Sequence, residues 1–448
     1  MNPRPPTRIL LVHPGVSDSP LALPYAPWGA LSLAQALRGN GHEVTVLDLV
    51  GQDARKSIRE AVEDLVPDVV GFTGKMGVAA RRMREMIDEL RAVRPMTRIA
   101  VGGPLVSAFP DSSLALWKGV DAIFLGEAEA SFARWVDEGC DRSGVVEAEE
   151  FDLDAVGVPW QWDQLATYVM PAGLAPGFTV PTLHMSGARG CTRRCSFCYL
   201  ATHLPRGGFN PISAQRLLSD LGGIAEATGA RGFCFTDDCL VDASRTGIDA
   251  LNAGLIGAGT PYELGCSIQL SLLGDSALLR RMYDAGFRYL YVGAESASAA
   301  VRKRLGKDDA GNRAAELLHG ATNLGYFVQC SVGLGWPGET EAEANTTLEL
   351  VENVNDVLFD TFRFLPLPGT PVFSQLVDRG ELHVAKVQLP FMDFGDNDLN
   401  LTSMDDDTLN HAWEQLLRLR DERYFALSPQ EIAAHATAGC ATQVAGPR

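Results

Sequence analysis

The sequence predicts an α/β protein: a doubly wound parallel sheet first, then a partial (β/α)6 barrel, then a short C-terminal helical region. Three observations predict it. The first 140 residues alternate short apolar runs with amphipathic helical patterns, and strict alternation of this kind builds parallel sheets. A second alternating series fills residues 181–380. Between them, residues 141–180 lose the rhythm in a stretch holding Glu147, Glu149, Glu150, Pro159, Pro171 and Pro176, as a linker does. The expected divisions are therefore 1–140, 141–180, 181–380 and 381–448.

In the first series Ile9–Val12, Val44–Leu47, Val69–Thr73, Ile99–Val101 and Ala122–Leu125 read as buried strands. Helical periodicity spans Trp28–Arg38, Ile58–Leu65, Ala80–Val93, Ser113–Trp117 and Ala130–Glu138. Ligands of such sheets bind beyond the carboxyl ends of the strands. Here those ends carry Phe72–Met76, Gly102–Pro104 and Gly126–Glu127. In the second series the strands are Leu183–Ala188, Gly232–Thr236, Leu264–Ser271, Tyr289–Val292, Phe327–Gly333 and Thr361–Leu365. Helices are expected at Ala214–Ala227, Arg245–Ile256, Ser276–Ala285, Ala314–Asn323 and Glu341–Val354. Six β/α units make an open version of the parallel barrel, whose active groups sit at the C-terminal strand ends. One more amphipathic helix is expected near Leu409–Tyr424, before a frayed, small-residue end.

Composition narrows the function classes. With 448 residues, 46% hydrophobic and 21% charged, the chain can bury two or three cores. Its net charge of -18, from 56 acidic against 38 basic residues, argues against nucleic acid or an anionic membrane as a partner. No run approaches the roughly 18 apolar residues of a membrane span, and the first residues carry no secretory pattern. A cytoplasmic location is expected. Nine cysteines, three of them within eight residues, suit metal or cluster binding better than a disulfide framework.

Those three lie in Gly190-Cys191-Thr192-Arg193-Arg194-Cys195-Ser196-Phe197-Cys198-Tyr199, directly after the first strand of the second series. Iron–sulfur clusters are held by cysteine thiolates, and a [4Fe–4S] cube takes four. Three leave one iron open to chelate an amine and a carboxylate. Spacing alone also allows zinc, with His203 as the nearby fourth ligand.

The order Cys-x3-Cys-x-aromatic-Cys after a first barrel strand resembles the radical S-adenosylmethionine (SAM) superfamily, and the resemblance covers about Pro181 to Arg379. It implies a [4Fe–4S] cluster on Cys191, Cys195 and Cys198 that cleaves SAM to a 5′-deoxyadenosyl radical, with Phe197 beside the cofactor. It also implies SAM contacts along the later strands. Asp237 or Asp238, in Phe235-Thr236-Asp237-Asp238, would accept from the SAM amino group, although an Asp there equally caps a helix. Glu295 and Ser296, in Gly293-Ala294-Glu295-Ser296, would meet the ribose, since one carboxylate can hold two vicinal hydroxyls. Gly333 and Gly335, ahead of Trp336-Pro337-Gly338-Glu339, would admit the adenine, and Pro366 completes the set from the sixth strand. Hydrogen-atom donors would come from Tyr199, Tyr291, Cys266 and Cys330, with Cys234 and Cys239 also on or beside strands. Each reads equally well as a buried core residue.

The first domain has its own resemblance. Pro27–Ala34, Val101–Pro104 and Gly126–Glu129 are similar to the helix opening, glycine turn and Gly-Glu-x-Glu end of the cobalamin-binding domain in the B12-dependent branch of that superfamily. This implies cobalamin lying against Thr73, Lys75, Met76, Gly102, Gly103, Gly126 and Glu127. No Asp-x-His-x-x-Gly segment is present, so the loop after the third strand, with Lys75 and Met76, would meet the lower cobalt face.

Three functions follow from the two resemblances. The first is cobalamin-dependent C-methylation of a small-molecule or peptide natural-product substrate. The second is a cobalamin-independent dehydratase, cyclase or rearrangement enzyme acting on a small molecule such as a sugar, with a vestigial B12-type domain. The third, a tRNA methylthiotransferase, needs further N-terminal cysteines, and the first 139 residues have none. Methylation is the expectation, with a reducing partner such as flavodoxin or ferredoxin.

Overall fold

Runs rich in Val, Ile, Leu and Phe form the first sheet: β1 (Arg8–His13), β2 (Glu43–Asp48), β3 (Val69–Thr73), β4 (Arg98–Gly102), β5 (Ala122–Phe124) and β6 (Gly144–Val146). The computed structural model describes residues 5–15, 25–50, 52–75, 77–108, 117–200, 208–242, 244–308, 310–382 and 398–425. These fall into two units. One comprises Met1–Trp162, Cys198–Gly208 and Leu367–Asp393; the other comprises Asp163–Phe197, Phe209–Pro366 and Phe394–Arg448.

In the first unit the strands run β2-β1-β3-β4-β5-β6, every pairing parallel. The chain reverses its direction of travel across the sheet at β1, which has β2 on one side and β3 on the other. Such a switch opens a crevice at the carboxyl ends of the strands. Helices Trp28–Gly39, Ala54–Leu65, Val78–Val93, Pro104–Ala108 and Glu129–Asp137 make the crossovers. Local chemistry fixes their starts: the Asp53 carboxylate accepts from the Lys56 amide at 2.9 Å, and the helix it caps buries Ile58 and Val62 against the sheet. The expected helix at Ser113–Trp117 lies outside the described residues except for Trp117, which is buried.

The expected linker is more ordered than its composition suggests. Its Gly144–Val146 adds β6 to β5. A short helix, Leu153–Val156, and a 3-10 turn, Leu165–Tyr168, follow. Three-residue strands are too short to show a period, so alternation could not reveal β6.

The second unit holds β7 (Thr182–Met185), β8 (Ala188–Gly190), β9 (Phe209–Pro211), β10 (Gly232–Phe235), β11 (Glu263–Gln269), β12 (Phe287–Glu295), β13 (Phe327–Leu334) and β14 (Leu358–Arg363). Six of them form one parallel sheet, β14-β13-β12-β11-β10-β7. Sequential parallel order with β7 and β14 left as edges is a partial barrel. The helices Ala214–Thr228, Thr246–Gly257, Ser276–Asp284, Ala314–Asn323 and Glu341–Asn353 link its strands.

The expected strand Leu183–Ala188 stops at Met185. The next residues turn away, and β8 pairs antiparallel with β9 instead. Phe178, Tyr289 and Phe327 stack at the amino-terminal end of the barrel, with ring centroids 6.2 Å apart in each neighbouring pair. Pairing of β12 with β13 slips between Gly293 and Glu295. Ala294 is thus an extra residue, a bulge of the kind that re-aims a side chain. The C-terminal helix spans Asp406–Phe425 and buries Leu409, Ala412 and Leu416. Among the described residues, no helix is long and apolar enough to cross a membrane.

Candidate functional site

In the second unit the carboxyl ends of the barrel strands gather most of the expected site residues. Cys191 leaves the end of β8, and its sulfur accepts from the Arg193 amide at 3.4 Å. A hydrogen bond with the Cys239 thiol lowers the Cys191 thiol to about 6, against the opposing effect of burial. Cys239 is itself raised, first by that same bond. Burial pushes the Cys195 thiol up, and the Lys307 ammonium works against it. All three motif cysteines are partly exposed and free of disulfides. Cys191 and Cys195 belong to the second unit, whereas Cys198 and Tyr199 belong to the segment grouped with the first. His203 lies outside the described residues.

Among the described residues no three His, Cys, Asp or Glu side chains are grouped closely enough to hold one metal ion. A cubane seats each thiolate on a separate iron, so its ligands stand farther apart than the shell of a single ion. Three thiols on one loop, one already favouring the thiolate, are a donor set that fits such a cluster.

Glu295 is where the bulge has its effect. Its backbone is left-handed, with φ 64, a conformation that L side chains adopt only under constraint. Its side chain is held by Lys307, whose ammonium donates to Glu295 Oε1 at 2.7 Å and to the Gly293 carbonyl at 2.9 Å. Both side chains are about seven-eighths buried (15% and 13% exposed). A Cβ at Gly293 would stand 2.6 Å from Glu295 Oε1, so only glycine lets the carboxylate fold over the strand. The lysine also lies 5.9 Å from the centre of the Phe197 ring. Its own segment holds the cysteine loop, since the Ser196 amide donates to the Leu305 carbonyl at 2.9 Å. Sequence reading missed Lys307. It sits just past Arg302-Lys303-Arg304, a cluster that reads as a solvated face.

The two aspartates divide. Asp237 is buried, and its carboxylate accepts from the Ser186 hydroxyl at 2.5 Å and from the Gly187 amide at 2.9 Å. Burial raises it to about 7. It ties the end of β10 to the turn after β7, which is why β7 stops early. Asp238 opens to solvent while protein crowds the rest of its carboxyl, and that partial burial raises it to about 6, opposed by the Gly190 amide. Asp238 is therefore the carboxylate left open to a ligand.

Ser296 faces inward. It is fully buried, 3.1 Å from the Thr347 hydroxyl, and accepts from the Ser298 amide. The Gly333–Glu339 turn is clamped from within: buried Glu339 accepts from the Gly335 and Trp336 amides at 2.9 and 3.2 Å. Its other oxygen has no partner among the described residues, and burial raises the carboxyl to about 7. Gly335 is left-handed at φ 91. Fully buried Trp336 packs edge-on against Phe197, with centroids 5.2 Å apart, joining this turn to the cysteine loop. Pro366 is buried.

Register separates the remaining candidates. Side chains alternate faces along a strand and match across neighbours. Cys234, Gly265, Tyr289 and Phe327 are paired across β10 to β13. They share their face with Gln269, which reaches the cysteine loop through Arg193. Tyr291 lies on this face too, bonded to Ser331, and burial raises its hydroxyl well above the ordinary range. Cys266 and Cys330 are fully buried at alternate positions, on the opposite face. The structure does not bring either to the cysteine loop.

In the first unit the expected residues line the carboxyl edge of the sheet. The Gly74 amide donates to the Gly102 carbonyl at 2.7 Å. Gly103, at φ 93, leaves no room for a side chain: a Cβ would stand 2.9 Å from Thr73 Oγ1 and 3.0 Å from the Gly74 nitrogen. Ser107 bonds the Gly103 carbonyl and accepts from the Gly126 amide at 2.9 Å. Glu129 accepts from Ser32 at 2.7 Å, joining two segments of the sequence pattern. Thr73, Gly102, Gly103, Gly126 and Glu127 are partly exposed and Lys75 is exposed; Met76 lies outside the described residues. A narrow glycine-lined edge, with backbone at its surface, fits a large planar cofactor with a polar tail. The sequence did not flag His13, which sits at the end of β1, 2.8 Å from Asp48.

Comparison with known proteins gives both units relatives. Residues 20–136 match the B12 binding domain family, and residues 185–351 match the Radical SAM superfamily. An uncharacterised methyltransferase of Pyrococcus horikoshii is 22% identical over 400 residues, covering 83% of each chain. A cytidylyl-2-hydroxyethylphosphonate methyltransferase of Streptomyces wedmorensis is 22% identical over 452 residues, covering 83% of this chain and 82% of that one. Among solved structures, the radical SAM methyltransferase TsrM of Kitasatospora setae, with cobalamin and a [4Fe–4S] cluster bound, superposes with a TM-score of 0.65 at 21% identity. The match covers 84% of this chain and 78% of TsrM.

Proposed function

We propose that this chain, which belongs to the radical SAM superfamily and to its B12-binding-domain-containing branch, is a cobalamin-dependent methyltransferase acting at carbon on a small-molecule or peptide substrate. The observation that carries the reading is the joining of both matched domains in one chain whose full-length relatives, at 83% coverage, are named methyltransferases.

Cys191, Cys195 and Cys198 would hold a [4Fe–4S] cluster that supplies the electron for SAM cleavage, and the glycine-lined edge of the first unit would hold a cobalamin that carries the methyl group. The protein's part is then position and exclusion. Asp238 accepts from the SAM amino group. Glu295, oriented by Lys307, spans the ribose hydroxyls. The Gly333–Gly335 backbone lies against the adenine, and Phe197 with Trp336 closes the apolar side against water. Tyr291 is the candidate hydrogen-atom donor on the cluster-facing side. The Asp237, Ser296 and Glu339 side chains hold their turns rather than the ligand. A flavodoxin or ferredoxin delivers electrons.

Anaerobic reconstitution with iron and sulfide, with and without hydroxocobalamin, tests the proposal. Methyl transfer predicts stoichiometric corrin after desalting, and both S-adenosylhomocysteine and 5′-deoxyadenosine among the products. Loss of all corrin on desalting, with 5′-deoxyadenosine alone, would refute it.

A further inference from the structure

The cysteine loop carries positive charge that neither SAM nor the cluster uses. The loop is seated on the segment that ends the helix Ala299–Arg304. The Ser196 amide donates to the Leu305 carbonyl at 2.9 Å, and the Ser196 hydroxyl reaches the Arg304 carbonyl at 3.5 Å. Gly306 lies so close that a Cβ there would stand 3.5 Å from the Arg194 carbonyl oxygen. Two short segments of the second unit thus bring Arg193, Arg194, Lys303 and Arg304 to one seam, and all four are exposed. Glu343 holds the Arg304 guanidinium with two bonds of 2.9 Å. Arg193 Nε donates to the neutral Gln269 side chain at 2.6 Å. Among the described residues, no carboxylate pairs with Arg194 or Lys303. Uncompensated cations therefore border the cysteine loop of a chain whose net charge is -18.

We propose that this seam, centred on Arg194 and Lys303, is the docking surface for an acidic one-electron carrier protein that reduces the cluster. The inference rests on the cluster reading above and gives its reducing partner a place on the molecule. Arg194 adjoins Cys195, a cluster ligand on that reading, so a carrier held here stands one residue from an iron-bound thiolate. In the transfer one electron leaves the carrier and enters the cluster, and no bond between the two proteins forms or breaks. Electron-transfer encounters bury little surface, and charge that steers the approach governs their rates. A positive seam on an otherwise acidic protein steers selectively, because the net negative charge disfavours approach of an acidic partner from other sides. Nucleic acid, charged at every phosphate, needs a longer basic track than this one.

The test is stopped-flow mixing of flavodoxin hydroquinone with the anaerobically reconstituted full chain, followed by the flavin absorbance at several salt concentrations. Arg194→Glu/Lys303→Glu is compared with wild type and with Arg280→Glu/Arg281→Glu. The latter makes an equal charge change on exposed residues that precede β12, at the amino-terminal end of the barrel. Reduction by dithionite, with iron and sulfide contents, reports the cluster independently of the carrier. At low salt the seam pair should slow the second-order transfer about tenfold, and the difference should shrink as salt shortens the range of the charges. The control pair should stay within about twofold of wild type, and dithionite should reduce all three proteins equally. If the reversed pair loads too little iron, Arg194→Gln/Lys303→Gln gives the same reading with a smaller slowing. A seam pair within about twofold of wild type at low salt overturns the proposal. So does a control pair that slows transfer equally, or a wild type that dithionite reduces and flavodoxin does not. A wild type that assembles no cluster for dithionite to reduce overturns the cluster reading itself, and this inference with it.

Discussion

Replacing Lys307 with methionine keeps the length of the side chain and removes its charge, leaving Glu295 without its partner. The pair is short, 2.7 Å, and mostly buried. Breaking a fully buried pair costs about 3–5 kcal/mol because one charge is stranded. Partial exposure of both groups here reduces that to ~2–3 kcal/mol. A left-handed backbone at a non-glycine residue adds a penalty of roughly 1–2 kcal/mol, which the lysine pair helps to offset at Glu295. With the pair gone, the glutamate relaxes toward water and the proposed ribose site loses its preset carboxylate. If most of that energy is what positions Glu295, SAM affinity should fall by about 10- to 100-fold, at 1.4 kcal/mol per tenfold. The assay is calorimetric titration of the reconstituted protein with SAM under anaerobic conditions, beside Lys307→Arg, which keeps the charge and should bind within about fivefold of wild type. Binding by Lys307→Met within twofold of wild type, with iron content unchanged, would refute the coupling of Lys307 to the nucleotide site.

Further outcomes follow from other parts of the structure. Gly103→Ala places a Cβ 2.9 Å from Thr73 Oγ1 at a left-handed residue. It should destabilise the first unit by ~2–5 kcal/mol, read as a lower melting temperature and lost corrin retention, while iron loading is spared. Glu339, raised to about 7 by burial, keeps its proton in the folded protein where the unfolded chain has released it. Its contribution to stability is therefore full below about pH 4.5 and is lost as pH rises through about 7. Glu339→Gln should flatten the decline in melting temperature between pH 5 and 8, and an unchanged decline would remove Glu339 as its source. Asp237→Asn should disturb folding while Asp238→Asn weakens SAM binding, so the reverse result would exchange their roles. Cys198→Ala should load less iron and fail to cleave SAM; intact cleavage would end the cluster assignment.

Much of the fold was legible because buried parallel strands announce themselves as apolar runs between helical periods. The order of strands was not, since nothing in a strand's own residues names its neighbours. The shortened β7 shows why local patterns miscarry at the site: Leu183–Ala188 reads as one strand, yet Asp237 claims the Ser186 hydroxyl and Gly187 amide and pulls the chain aside. The cysteine loop was legible from residue type and spacing. The burial of Ser296 was not, because a serine beside a candidate glutamate looks like a second contact and only the fold shows it set against Thr347. Lys307 was invisible for a related reason: it acts on a partner brought close by the fold, 12 residues away in the chain.

The bulge at Ala294 makes this stretch more sensitive to length than to chemistry. Gly293 pairs with Ser331 and Glu295 with Val332, so removing Ala294 would leave both pairings possible in a regular ladder. Regular alternation would then send the glutamate to the face that Val332 and Cys330 occupy, among apolar side chains. A three-nucleotide deletion that discards only a methyl-bearing residue would thus spare each proposed ligand-contacting residue by name while turning the carboxylate inside out. Among variant libraries of this protein, in-frame deletions here should be purged more thoroughly than substitutions of Ala294 itself.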